Sequence, residues 1–315
     1  MDSFDSPVSA VFGDWKFESK MNHILNSNCS TPVVCLPSMK TIFPDRIASK
    51  DTPIKTEEEV LRLKKLLLPI RNLCNFCKFN IILEMAHFPD MTYPENGLTL
   101  THSSGFVIDF NVIDALSPVI VKNIGLPDGM KVASSEQWLN ARLNCEYTQT
   151  VHNAKFDWTF TTDYSGTLHG IEQITPTEEE INFQKLKIRD QIKWFREITL
   201  FEDELADHGT AECSVKIRVM TDCFFILLRY FLRIDNVFVR FYDTRFYHEF
   251  GKCYIIRERC VKESTIQNLR LSEDELYLLV RPNELYPRVA KKECFLEKIT
   301  FLSEEKKDSK DNVSE

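Results

Sequence analysis

"CFFILLRYFLRIDNVFVRFYDTRFYHEF", residues 223–250, holds two readings of one apolar run. A helix over its first half would be apolar nearly all round, with Arg229 and Arg233 stacked on one side. A strand sorts the residues into two faces. Phe224, Ile226, Leu228, Tyr230, Leu232 and Ile234 make one apolar face, while Phe225, Leu227, Arg229, Phe231 and Arg233 turn toward a less dry environment. The alternation predicts a strand. Asp235 and Asn236 tolerate the left-handed conformations of tight turns, so residues 237–250 fold back beside it as a central hairpin.

Working outward, "SVKIRVM" (214–220) alternates Val215, Ile217 and Val219 against Lys216 and Arg218, a further strand. "WKFESKMNHI" (15–24), "LTLTH" (98–102), "GFVIDFN" (105–111), "MKVAS" (130–134) and "WTFTTDY" (158–164) read as short strands, the last turning at "DYSG" into "TLHGIEQI" (167–174). Two helices stand out. "EEEVLRLKKLLLPI" (57–70) repeats Leu61, Leu63, Leu66 and Leu67 near helical spacing and should stop at Pro69. Thr177 and Glu180 have capping-box spacing ahead of Ile181, Ile188, Ile192 and Phe195, which predicts one long helix near 177–199. The expected fold class is α+β, mainly antiparallel sheet, sandwich-like, with flanking helices.

The chain has 315 residues, which suits one domain with trimmings: residues 11–302, with residues 1–10 and 303–315 too polar and aperiodic to carry a core. Its hydrophobic fraction of 43% and its 23 Phe can fill a substantial core with rings. A net charge of −8 with pI near 5.5 offers no field for a nucleic-acid backbone. No apolar run approaches the roughly 20 residues of a membrane span. "MDSFDSPVSAVF" (1–12) lacks a basic n-region, so the cytoplasm is the expected compartment, with the nucleus second. The ten Cys are then expected as buried thiols.

Catalytic signatures are scarce. The nine Gly form no phosphate-binding loop, "YHEFGK" (247–252) lacks the second His of a zinc helix, and no G-x-S-x-G elbow occurs. "LFEDELADHG" (200–209) gathers Glu202, Asp203, Glu204 and Asp207 near His208. It reads best as a solvated connection following the long helix, and a metal-dependent hydrolase built on it is the alternative. Cys74 and Cys77, with Cys29 and Cys35, could hold structural zinc in a separate interaction module at 28–82, although the spacing is loose. No cofactor is expected.

"FDWTFTTDYSGTL" (156–168), "LFEDELADHG", "SVKIRVM", "FFILLRYFLRIDNV" (224–237) and "DTRFYHE" (243–249), together with "SSGFVIDFNVIDAL" (103–116) and "GMKVASSEQW" (129–138), follow the order and spacing of the TIPRL family, the TOR-signalling-pathway-regulator-like proteins. The chain resembles that family over about residues 12–27 and 83–301, and residues 28–82 read as an atypical insertion. The resemblance implies a non-enzymatic, monomeric regulator of type 2A-like serine/threonine phosphatases in TOR-linked signalling. Such a regulator inhibits the catalytic subunit or holds it for assembly, and a cleft takes the subunit's C-terminal tail. It places Asp114, Ile181 and Asp243 at partner-contact positions, with Phe241 where the family tends to have Met. A tail carboxylate would need a guanidinium, for which Arg218, Arg240 and Arg245 are the candidates.

Overall fold

The structure is a computed structural model that describes residues 8–22, 24–25, 56–70, 73–85, 88–121, 159–187 and 191–301. Its strands are β1 (Val8–Phe12), β2 (Trp15–Lys20), β3 (Met91–Thr92), β4 (Gly97–His102), β5 (Val107–Asn111), β6 (Thr167–His169), β7 (Gln173–Pro176), β8 (Trp194–Asp203), β9 (Gly209–Val219), β10 (Cys223–Ile234), β11 (Phe238–Glu249), β12 (Tyr254–Thr265) and β13 (Lys291–Thr300). Every pairing is antiparallel. The order is β1-β2-β4-β5-β6 in a five-stranded sheet and β3-β8-β9-β10-β11-β12-β13-β7 in an eight-stranded one.

The two sheets pack face to face. Trp15, Phe17, Leu98, Leu100, Ile108 and Phe110 from the small sheet share one buried cluster with Phe224, Ile226, Leu228, Tyr230 and Leu232 from β10. The predicted hairpin forms, with Ile234 opposite Phe238 and Asn236 at φ 60°, the left-handed turn its side chain tolerates. Gly170 (φ 71°) divides "TLHGIEQI" between the two sheets as β6 and β7. A Cβ at that position would lie 2.7 Å from the Gly105 carbonyl oxygen, so the close approach requires glycine.

The described helices are α1 (Glu57–Leu67), α2 (Asn75–Leu83), α3 (Val112–Val121), α4 (Phe183–Lys187), α5 (Ile266–Leu269) and α6 (Pro282–Leu285). Helix α1 starts where the Thr56 hydroxyl accepts from the Glu59 N–H at 3.2 Å and stops before Pro69, as its spacing predicts. Val60, Leu63 and Leu67 of α1, and Phe79 and Ile82 of α2, enter the same buried cluster as Trp15.

The long helix predicted near 177–199 does not form. Five residues of it are helical, as α4, and Trp194 onward is β8. Residues 194–200 also alternate, with Trp194, Ile198 and Leu200 inward and Phe195, Glu197 and Thr199 outward. That period of two joins β8 to β9 along ten residues, and pairing in the sheet outweighs a coincidental helical spacing. Thr177 caps only a local turn, accepting from the Glu179 N–H at 3.1 Å. The acidic run at 200–209 therefore closes the β8–β9 hairpin instead of following a helix.

The "WTFTTDY" strand is also corrected. Residues 159–164 pair in neither sheet. Thr159 and Thr161 are buried with their hydroxyls bonded at 2.7 Å, and Tyr230 donates to the Thr159 carbonyl at 3.1 Å. "MKVAS" and Trp158 lie outside the described residues.

Candidate functional site

Alternation sends Phe225, Leu227, Arg229 and Phe231 to the face of the large sheet away from the sandwich core, and the register brings Arg218, Asp243 and Arg245 onto the same face. Two segments cover parts of it. Ile181 and Leu186 pack with Met220, Cys223, Tyr247 and Ile256 at one end. Leu278, Leu285 and Tyr286, from the short helical turns of 273–288, pack on Phe231, Val239 and Phe241 at the other.

The two covers leave a groove of about 770 Å³. Phe183, Leu186, Ile192, Phe195, Phe225 and Leu227 give it apolar walls. Phe183, Ile192 and Phe195 are 39%, 48% and 42% exposed, a concentration of wet rings and aliphatics that marks interaction surfaces. Its charged lining is Lys187, Glu197, Lys216 and Arg218, with Lys216 paired to Glu197. Among the described residues, no carboxylate pairs with the Arg218 guanidinium.

Asn283 marks where the groove meets a buried charge network. Arg229 donates to its amide oxygen at 2.9 Å and grips both oxygens of Asp243 at 2.7 Å each. Arg245 donates to Asp243 at 3.0 Å and to Glu258. The Tyr286 ring lies 4.8 Å from the Arg229 guanidinium, 5.1 Å from that of Arg245 and 4.1 Å from the Lys262 ammonium. Burial pulls the Arg245 pKa down, but Asp243, Tyr286 and Glu258 outweigh it and the net shift is upward. Burial and the Asp243 charge both push the Tyr286 hydroxyl up.

The outer face thus brings together Ile181, Arg218, Phe241, Asp243 and Arg245. Asp243 is 1% exposed with its carboxylate saturated by arginines, so any part it plays toward a partner passes through Arg229 and Arg245. Arg240 and Asp114 lie elsewhere. Arg240 points to the opposite face, stacked at 5.0 Å over Phe238 and donating to Glu263 at 3.2 Å. Asp114, in the first turn of α3, accepts from Thr167 at 2.6 Å and Asn111 at 2.8 Å and pairs with Lys64, which ties α1 to the end of β5. Burial raises its carboxyl pKa, and Lys64 with these hydrogen bonds overcomes that to leave it below the usual range.

Residues 91–270 match the TIP41-like family. The chain belongs to that family. It is 46% identical to the human TIP41-like protein over 223 residues, which is 70% of this chain and 79% of that one. It is 30% identical over 224 residues to the "Type 2A phosphatase activator tip41" of Schizosaccharomyces pombe, covering 68% of this chain and 85% of that one. The Saccharomyces cerevisiae protein of the same description is 35% identical over 199 residues, 58% of this chain and 54% of that one.

In this TIP41-like chain the family match covers the floor of the groove and the cover that carries Ile181, but ends before the cover at 273–288. The acidic run does not collect its carboxylates. Asp203 turns inward to accept from the backbone N–H groups of Asp90 at 2.9 Å and Leu205 at 2.7 Å, and burial raises its pKa to about 6. Cys74 caps α2, its Sγ accepting from Cys77 N at 3.5 Å, while Cys29 and Cys35 lie outside the described residues. Cys213, Cys223, Cys253, Cys260 and Cys294 are free thiols. Among the described residues, no helix is long and apolar enough to cross a membrane.

Sequence reasoning missed Phe183, Phe195, Phe225 and Leu227 as groove walls, and Arg229 as the partner of Asp243. Counting back from a two-residue Asp235–Asn236 turn would place Arg229 opposite Tyr242; the loop also takes in Val237, which shifts the register by one residue and brings Arg229 opposite Asp243.

Proposed function

We propose that this protein regulates type 2A-like serine/threonine phosphatases by binding their catalytic subunits, and carries out no chemistry itself. The groove takes the subunit's C-terminal tail. Apolar tail side chains lie against Phe183, Phe195 and Phe225, and Arg218 meets the terminal carboxylate with its planar fork. The observation that carries this reading is a guanidinium without a carboxylate partner among the described residues, set at an exposed ring-lined groove, in a family whose yeast members are described as type 2A phosphatase activators.

The same reading makes the protein a monomeric, cytoplasmic regulator in TOR-linked signalling. The purified chain is titrated against catalytic subunit and against a version lacking its last several residues. Weaker binding to the shortened subunit is expected, and equal binding rejects tail capture. Phosphatase activity followed in the same titration gives the sign. A fall fits an inhibitor or assembly holder, and a rise fits the description carried by the yeast relatives.

A further inference from the structure

We infer that Glu258, Cys260 and Cys294 form a zinc site on the outer face of β12 and β13. The ligand atoms of these three side chains all lie within 4.8 Å of one another, the one such trio among the described residues. Their placement follows from the sheet. Cys260 and Cys294 are directly opposed register partners on antiparallel strands, and Glu258 precedes Cys260 by two residues, on the same face and diagonal to Cys294. Tetrahedral zinc, with Zn–S near 2.3 Å, needs sulfurs about 3.8 Å apart, within reach of small rotamer changes from this geometry. Two thiolates and one carboxylate leave a fourth position for water.

The surroundings suit that set. Zn²⁺ with three anionic ligands carries one net negative charge, and Arg245 already holds Glu258. A carboxylate has two oxygens, so Arg245 can keep one as an orienting outer partner while the other ligates. Tyr286 stacks its ring 5.1 Å from the Arg245 guanidinium beside the site. Binding displaces one proton from each thiol, which leaves for solvent: two Cys–SH and Zn²⁺ give the bis-thiolate and two H⁺. Because Arg245 bonds both Glu258 and Asp243, occupancy adjoins the buried charge network that meets the groove at Asn283.

The full chain, reduced and stripped with a chelator, is titrated with Co²⁺, whose near-ultraviolet thiolate charge-transfer band reports sulfur ligation. Saturation at one equivalent is expected, reversed by Zn²⁺. Cys260→Ser and Cys294→Ser each remove tight binding, the Cys74→Ser, Cys77→Ser double variant retains it, and Glu258→Gln keeps the band while weakening affinity by about tenfold or more. Should a Ser variant fail to fold, protection of Cys260 and Cys294 from alkylation by Zn²⁺ in the unaltered chain supplies the same answer. A band that survives both Ser substitutions, no band in the reduced chain, no protection, or recovery of the two cysteines as a disulfide overturns the site.

Discussion

On the inner face of the large sheet, Phe224 meets the Trp15 ring at 5.1 Å and the Phe17 ring at 5.5 Å between centroids, and His248 is the polar guest among them. On the outer face, one strand position along, Phe225 borders an open groove and Arg229 is locked to Asp243. The same strands supply both. Inside, stability comes from area removed from water and from edge-to-face ring contacts. Outside, charge is buried only where each partner is satisfied, and the remaining apolar surface stays wet. A face that does not complete its own burial is one arranged for another molecule.

The largest effects should separate these two logics. Asp243→Ala leaves Arg229 and Arg245 without their shared carboxylate in a buried site, which should cost about 3–5 kcal/mol in denaturant unfolding. Replacing Arg229 and Asp243 together with apolar residues of similar size should recover much of that loss, because no unpaired charge remains between them. Phe224→Ala should also cost about 3–5 kcal/mol, through a cavity, and no second substitution on the outer face should rescue it. A double replacement as damaging as Asp243→Ala alone would break the comparison.

The polar guest of the inner face makes a smaller, pH-dependent contribution. Trp15 Nε1–H donates to His248 Nε2 at 3.0 Å, so Nδ1 carries the proton and donates to the Tyr254 carbonyl at 2.9 Å. Burial, the largest influence, lowers the His248 pKa from 6.5 to about 4. A base with a depressed folded pKa favours folding in its neutral form. The stabilisation is complete above about pH 6.5 and is lost as pH falls toward 4, reaching about 2 kcal/mol by pH 5. Asp203 acts oppositely, since its pKa raised to about 6 means stabilisation below pH 4 that fades as pH rises through 6. The difference between the wild-type chain and His248→Gln across pH 7 to 5 therefore isolates the histidine, and a difference that does not change with pH would reject its neutral burial.

How much could be read from the chain depended on the range of the determining interaction. The central hairpin was legible because alternation over 223–234 and the turn residues Asp235 and Asn236 are local signals that agree, although the loop also takes in Val237 and so sets the register one residue away from a two-residue turn. The region 177–199 was misread because Ile181, Ile192 and Phe195 fit helical spacing, while the deciding factor is the β9 edge that β8 joins. That edge is visible only once the sheet exists. Asp114 and Asp243 were expected at one partner surface, but they serve different elements, since neither residue type nor spacing carries the face on which α3 or β11 will present it. The Cys260–Cys294 juxtaposition was equally hidden, because it depends on β13 returning beside β12 after the intervening helical turns.

The smallest structural effect should carry the largest functional one. Arg218 sits exposed on β9 opposite Phe225, and no described carboxylate loses a partner when its guanidinium is removed. Arg218→Ala should therefore shift unfolding stability by no more than about 0.5 kcal/mol. If the groove takes a tail carboxylate, the same change removes a charge-assisted fork worth about 1.5–3 kcal/mol, so binding to intact catalytic subunit should weaken about 10- to 150-fold. Binding to a subunit already lacking its tail should hardly change, and that non-additivity places Arg218 on the tail. An equal loss with both subunits would assign Arg218 to the catalytic domain, and no loss with either would leave the groove without its anchor.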